Sequence, residues 1–137
     1  MREFSVREAA ALLGVSDDTV RRWADAGRLG IAKNAAGRQV IAGIDLLPLL
    51  AELGAESPLA ATFPTATASA RNRFTGIITA VTRDGVMAQV DLQAGPFRVV
   101  SLMSREAADE LGLEPGMLAS ASAKATTVTI ELPEPPK

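Results

Sequence analysis

The sequence predicts an α+β fold in two domains, helical toward the N-terminus and β-rich toward the C-terminus. Three observations lead there. Residues 1–53 carry two capped stretches with apolar side chains at helical spacing. Residues 69–133 change to runs rich in Val, Ile and Thr, punctuated by Asp84-Gly85, Gly95-Pro96 and Pro115-Gly116. Between them, residues 54–68 hold two prolines, three threonines and little periodicity, the composition of a linker in which Leu59 and Phe63 are the only large anchors.

In the first domain, Ser5-Val6-Arg7-Glu8 reads as a capping box, and Val6, Ala9, Ala10 and Leu13 follow on one helical face. Gly14 ends that helix and Val15 plugs the turn. Ser16 caps a second helix, with Asp17 and Asp18 at the positive end of its dipole. Val20, Trp23 and Ala24 share its apolar face, so Trp23 is assigned to the core. Arg21 and Arg22 point elsewhere, and Gly27 closes the helix. Two short apolar stretches flanking Asn34-Ala35-Ala36-Gly37 form a hairpin, and Ile44 to Leu53 a third helix with Pro48 in its first turn. Gly54 ends the domain.

The second domain reads as five strands and one helix. Phe74–Thr82 and Val86–Leu92 flank the Asp-Gly turn, with Val86, Ala88, Val90 and Leu92 facing one way. Phe97–Met103 is the third strand, Ser104 caps a helix over Arg105–Leu111, and Met117–Lys124 and Thr126–Leu132 complete the set. That order fits a small OB-like five-stranded barrel, followed by a Pro-rich tail at 134–137.

Composition removes several chemistries. The 137 residues include no cysteine and no histidine, so zinc fingers, thiol catalysis and histidine-based triads are excluded. No GxxxxGK[ST] phosphate loop occurs, and no catalytic pairing of side chains stands out, so the chain is read as a non-enzyme without a redox or nucleotide cofactor. The N-terminus lacks the apolar stretch of a signal peptide and no run is long enough to span a membrane, so a cytoplasmic protein without membrane contact is expected. Residues 1–53 carry seven basic and seven acidic side chains, but none of the acidic ones falls between Ala26 and Ile44, where Arg28, Lys33 and Arg38 lie just beyond Arg21 and Arg22. One end of this domain therefore presents a basic face.

Two helices around a Gly turn, the second bearing paired arginines, followed by a hairpin, are the parts a major-groove reader needs. The segment FSVREAAALLGVSDDTVRRWADAGRLG resembles the MerR-like helix-turn-helix family with its excisionase and developmental-regulator relatives, over about the first 50 residues. The resemblance implies a winged helix-turn-helix that contacts double-stranded DNA through Ser16, Thr19, Arg21, Arg22, Lys33 and Arg38. The wing tip here is leaner in basic and aromatic residues than the family's, and the long dimerising coiled coil of full-length MerR regulators is absent.

In the second domain, Ser69-Ala70-Arg71-Asn72 opens the strand region and Lys124-Ala125-Thr126-Thr127 precedes its last element. A tetrahedral dianion needs N–H and O–H donors from several directions and one or two positive charges; Arg71 and Lys124 supply charge, Ser69 and Thr126 hydroxyls. SARNRFTGIITAVTRDGVMAQVDL and SLMSREAADELGLEPGMLASASAKATTVTI resemble the MOP (molbindin, TOBE-type) domain over its whole length. That resemblance implies molybdate or tungstate held between subunits, by Ser69, Ala70 and Arg71 of one chain and Lys124, Ala125 and Thr126 of its neighbour. Where many members carry serine after the lysine this chain has Ala125, which offers only its backbone N–H. A homo-oligomer is implied, a dimer at least, with a hexamer of the storage-protein kind as the larger alternative. The two resemblances together imply a molybdate-responsive transcriptional regulator. A molybdate-storage protein that uses its helix-turn-helix for assembly, and a nucleoid-associated or recombination accessory protein with a vestigial anion site, are the other readings.

Overall fold

The computed structural model describes residues 2–63 and 68–134, in two folding units, Met1–Thr65 and Ala66–Lys137. In the first, strand β1 (Glu3–Phe4) leads into helix α1 (Val6–Leu13). The Ser5 hydroxyl accepts from the Glu8 N–H at 3.1 Å while the Glu8 carboxylate accepts from the Ser5 N–H at 2.9 Å, so the capping box is closed from both sides. Gly14 ends α1 at φ 72°, a left-handed conformation that costs glycine little. Helix α2 (Asp17–Asp25) starts at Ser16, whose hydroxyl accepts from the Thr19 N–H.

The hairpin consists of β2 (Ala32–Lys33) and β3 (Gln39–Ala42), with Ala32 opposite Val40 and Lys33 opposite Gln39. Its turn is organised by Asn34, whose side-chain oxygen accepts from the N–H groups of Ala36 and Arg38. The sequence reading lacked β1, which is two residues long and pairs with the far side of β3, giving the order β1-β3-β2.

A 3-10 turn (Gly43–Leu46) precedes α3 (Leu47–Ala55), with Pro48 in the first turn where its missing N–H leaves no bond unmade. The helix continues through Gly54, which was expected to end the domain. A further helix, α4 (Pro58–Thr62), forms inside the stretch expected to be linker, with Pro58 fitting its first turn. Residues 64–67 of that stretch, and 135–137 of the expected tail, lie outside the described residues. Val6, Ala9, Leu13, Val20, Ile41 and Leu49 are among the buried side chains of this unit's core; Val15 and Trp23 pack against them.

The second unit is an antiparallel sheet of β4 (Asn72–Arg83), β5 (Met87–Ala94), β6 (Phe97–Ser104) and β7 (Leu118–Ala123), in the order β6-β5-β4-β7. Asp84 makes the β4–β5 turn, accepting from the N–H groups of Val86 and Met87. Helix α5 (Arg105–Leu111) is capped by Ser104 and ended by left-handed Gly112. Ala88, Val90, Leu92 and Ala94 are buried on one face of β5, whereas Val86 falls in the turn and stays exposed. Only Gly fits at position 76: a Cβ there would sit 2.0 Å from the Gln93 carbonyl oxygen.

The expected fifth strand over Thr126–Leu132 does not form. Ala125–Thr127 instead make a 3-10 turn, in which the Thr127 N–H and hydroxyl both donate to the Lys124 carbonyl, at 2.9 and 2.8 Å, and residues 128–134 carry no regular structure. The β-branched residues there fit a strand, but β-propensity is realised only against a neighbouring strand, and this segment has none. The unit is a curled four-stranded sheet.

Candidate functional sites

In the second unit, the pairing of β4 with β7 sets the geometry. The ladder's final pair is Asn72 with Ala123, and the Asn72 side-chain amide donates to the Ala123 carbonyl at 3.2 Å. One step further, Arg71 leaves β4 and Lys124 leaves β7, so the Ser69–Arg71 and Lys124–Thr126 segments meet at one end of this ladder within a single chain. Ser69, Arg71, Lys124, Ala125 and Thr126 are exposed and Ala70 is half-buried. Thr126 and Ala125 lie in the 3-10 turn, whose first N–H groups have no carbonyl behind them within the turn.

The electrostatics favour an anion. Neither Arg71 nor Lys124 takes part in an ion pair among the described residues, and no carboxylate occurs in residues 68–73 or 118–127. Arg73, opposite Ser122, adds a third positive charge two residues from Arg71. Sequence reasoning passed over Arg73, although it stands two residues from Arg71, and quoted Asn72 without a role; the bond that makes Asn72 a latch joins residues 51 apart, which spacing along the chain does not reveal. Among the described residues, no group of acidic side chains could hold a metal ion.

In the first unit, the predicted DNA-facing side chains fall on α2 and the hairpin, but they differ in their freedom. Ser16 and Thr19 are committed to structure: the Ser16 hydroxyl caps α2 and shares a hydrogen bond of 2.9 Å with the Thr19 hydroxyl, which in turn accepts from Arg22 Nη2 at 3.1 Å. They therefore position Arg22. Arg21 Nη1 donates to Gln39 Oε1 at 3.1 Å, tying α2 to β3. Lys33 and Arg38 are exposed on either side of the hairpin turn. Gln39 was missed by sequence reasoning, because its partner lies 18 residues away. Arg28, by contrast, lies over the Trp23 ring at 5.0 Å and pairs with Glu52, which makes it a packing residue.

Helix-turn-helix domain models match residues 3–51, and TOBE domain models match residues 68–130. Among solved structures, the chain is similar to a molybdate-binding protein from Sporomusa ovata (22% identity, 49% of this chain and 100% of that one, TM-score 0.47) and to MopII from Clostridium pasteurianum (33% identity, 48% and 100%, TM-score 0.45). It is also similar to the cytoplasmic molybdate-binding protein ModG (39% identity, 44% and 43%, TM-score 0.42). No curated protein matches the chain. No helix among the described residues is long and apolar enough to cross a membrane.

Proposed function

For a chain that belongs to the TOBE-domain family and also carries an N-terminal helix-turn-helix domain, we propose the function of a molybdate-responsive DNA-binding regulator. The observation that carries this reading is the convergence of Ser69–Arg71 with Lys124–Thr126 at an end of the β4–β7 ladder that holds positive charge and no carboxylate. Donors of this kind suit a fully deprotonated oxyanion, which has no proton to give back. Molybdate and tungstate share charge and shape, and both are ligands under this reading. One chain supplies donors to one side of the anion, and a neighbouring chain in a homo-oligomer closes the other.

In the first unit, Arg21 and Arg22 contact DNA, held in place by Gln39 and by the Ser16–Thr19 pair, while Lys33 and Arg38 on the hairpin meet the phosphate backbone. Molybdate changes the arrangement of subunits and thereby the spacing of the helix-turn-helix units on DNA. The protein is cytoplasmic and not an enzyme under this reading. Neutral charge over residues 1–53 supports a second reading, storage of the anion, in which the helix-turn-helix serves assembly.

Calorimetry with molybdate, tungstate and sulfate tests the anion assignment. The expected result is binding of the first two, weaker binding of the smaller sulfate, and loss of affinity in Arg71→Ala. Equal affinity for sulfate, or an unaltered Arg71→Ala, refutes the site.

A further inference from the structure

Helix α3 is apolar on the side that faces the core of the first unit and apolar again on the side that faces away. Leu49 is buried and Leu53 packs against the core. On the far side, Leu47, Leu50, Ala51 and Gly54 stand at the i, i+3, i+4, i+7 spacing of one helical face. All four are exposed, the two leucines by 58% and 42%. None carries a charge, and the helix's one charged side chain, Glu52, pairs with Arg28 of its own chain. A helix that is apolar on both sides is built to pack on both sides.

Gly54 is a second, independent observation. A Cβ at this position would meet nothing within 4 Å, and its φ lies outside the left-handed region. Neither the backbone nor the packing of this chain calls for glycine there, although glycine weakens a helix relative to alanine. What the missing side chain leaves is room for a surface from outside the chain to approach the helix backbone closely.

We propose that the outer face of α3 docks antiparallel on the same face of a second copy of this chain, about a two-fold axis that passes between residues 50 and 51. Leu47 then lies over Gly54 of the partner subunit, and Leu50 over Ala51 of the partner subunit, large against small in both directions. Such a face is self-complementary, so each contact occurs twice and the assembly closes at two copies. The occupant is a second copy for two reasons. An uncharged face gives nothing to DNA or to a charged peptide. Outside the described residues, 64–67 is Pro-Thr-Ala-Thr, 135–137 is Pro-Pro-Lys and Met1 is a single residue, so no segment there carries the apolar side chains to cover it. The nine residues of α3 fall short of the roughly 20–30 per side of a standard interface. The contact is therefore weak, and cross-linking detects it better than mass does.

The absence of cysteine from the chain permits a direct test on the full-length protein. Ala51→Cys puts one thiol beside the proposed two-fold axis, and Ala35→Cys, exposed at the hairpin turn, serves as the control. Each is oxidised without DNA or molybdate, so the outcome is separate from that of the regulatory reading. The expected result is a disulfide-linked dimer from Ala51→Cys in several-fold higher yield than from Ala35→Cys. Gly54→Leu, added to Ala51→Cys, fills the space the partner needs and should abolish the link without lowering the thermal transition of Trp23, because its own chain leaves that space open. Leu47→Glu, in the first turn where a carboxylate suits the helix dipole, should do the same by a second route. A yield from Ala51→Cys no higher than the control's overturns the proposal and leaves this face to a partner other than a second copy. So does a yield that either variant, still folded by its Trp23 transition, leaves undiminished.

Discussion

Replacing Gly76 with alanine probes the close approach of β4 and β5. The added Cβ would lie 2.0 Å from the Gln93 carbonyl oxygen, 2.7 Å from its carbonyl carbon and 2.9 Å from the Ala94 Cα, where ordinary contact begins at 3.4 Å. All three obstacles are backbone, so no side chain can rotate away; the strands must part by more than an ångström. The β4–β5 ladder then weakens from the pair beside position 76, Ile77 with Gln93, onward. Overpacking of this severity costs about 3 kcal/mol. For a unit of this size, that corresponds to a fall in Tm of about 10–25 °C. Circular dichroism follows the sheet, while the chain's only tryptophan, Trp23, reports the first unit separately by fluorescence. The expected outcome is an early loss of β signal with an unmoved Trp23 transition. A shift of less than about 2 °C would refute the argument that the β4–β5 spacing has no slack at Gly76.

Other outcomes follow from the same contacts. Ser16→Ala removes the α2 cap and the anchor of the Thr19–Arg22 chain, so the Trp23 transition should fall by the equivalent of about 1 kcal/mol, with a weaker gel-shift on DNA. Arg21→Ala with Arg22→Ala should abolish the shift or flatten its salt dependence, each base-reading arginine being worth about 1–3 kcal/mol; normal shifting by this pair moves the storage reading ahead. Hydrogen bonds from Arg98 and Gln89 hold the Asp91 carboxyl below its ordinary range. Because the folded pKa is the lower one, the stabilisation is present above about pH 4 and is lost as the pH falls through the folded value, so Asp91→Asn should flatten the acid limb of the second unit's pH–stability curve.

Local chemistry made much of this fold legible. The Ser5–Glu8 box, the Ser16 and Ser104 caps, the Gly14 and Gly112 terminators and the Asp84 turn each act within four residues, and each sits where the sequence placed it. What sequence reasoning missed depends on distant partners. Strand β1 exists because β3 offers it an edge, and the β propensity of 126–132 goes unused because no strand lies beside it. The helix at Pro58–Thr62 was hidden by a composition that reads as linker, although Pro58 in its first turn was a usable signal. At the anion cluster, the charged residues were legible as types, Arg73 among them by its place two residues after Arg71, whereas the Asn72 latch needed the β4–β7 register to become visible. Likewise the hydrogen bonds by which Ser16 and Thr19, expected as DNA contacts, support Arg22 needed the geometry of α2 to become visible.

The central claim is that an anion held by the second unit alters DNA binding by the first. Fluorescence anisotropy of DNA from upstream of the protein's own gene, measured at zero and at saturating molybdate for the native chain and for Lys124→Ala, tests it most directly. Coupling of this kind amounts to about 1–3 kcal/mol, a change in affinity of roughly 5- to 150-fold. The account predicts such a change in the native chain and its loss in Lys124→Ala. A native DNA affinity that is indifferent to molybdate, in a protein that calorimetry shows to bind the anion, would contradict it.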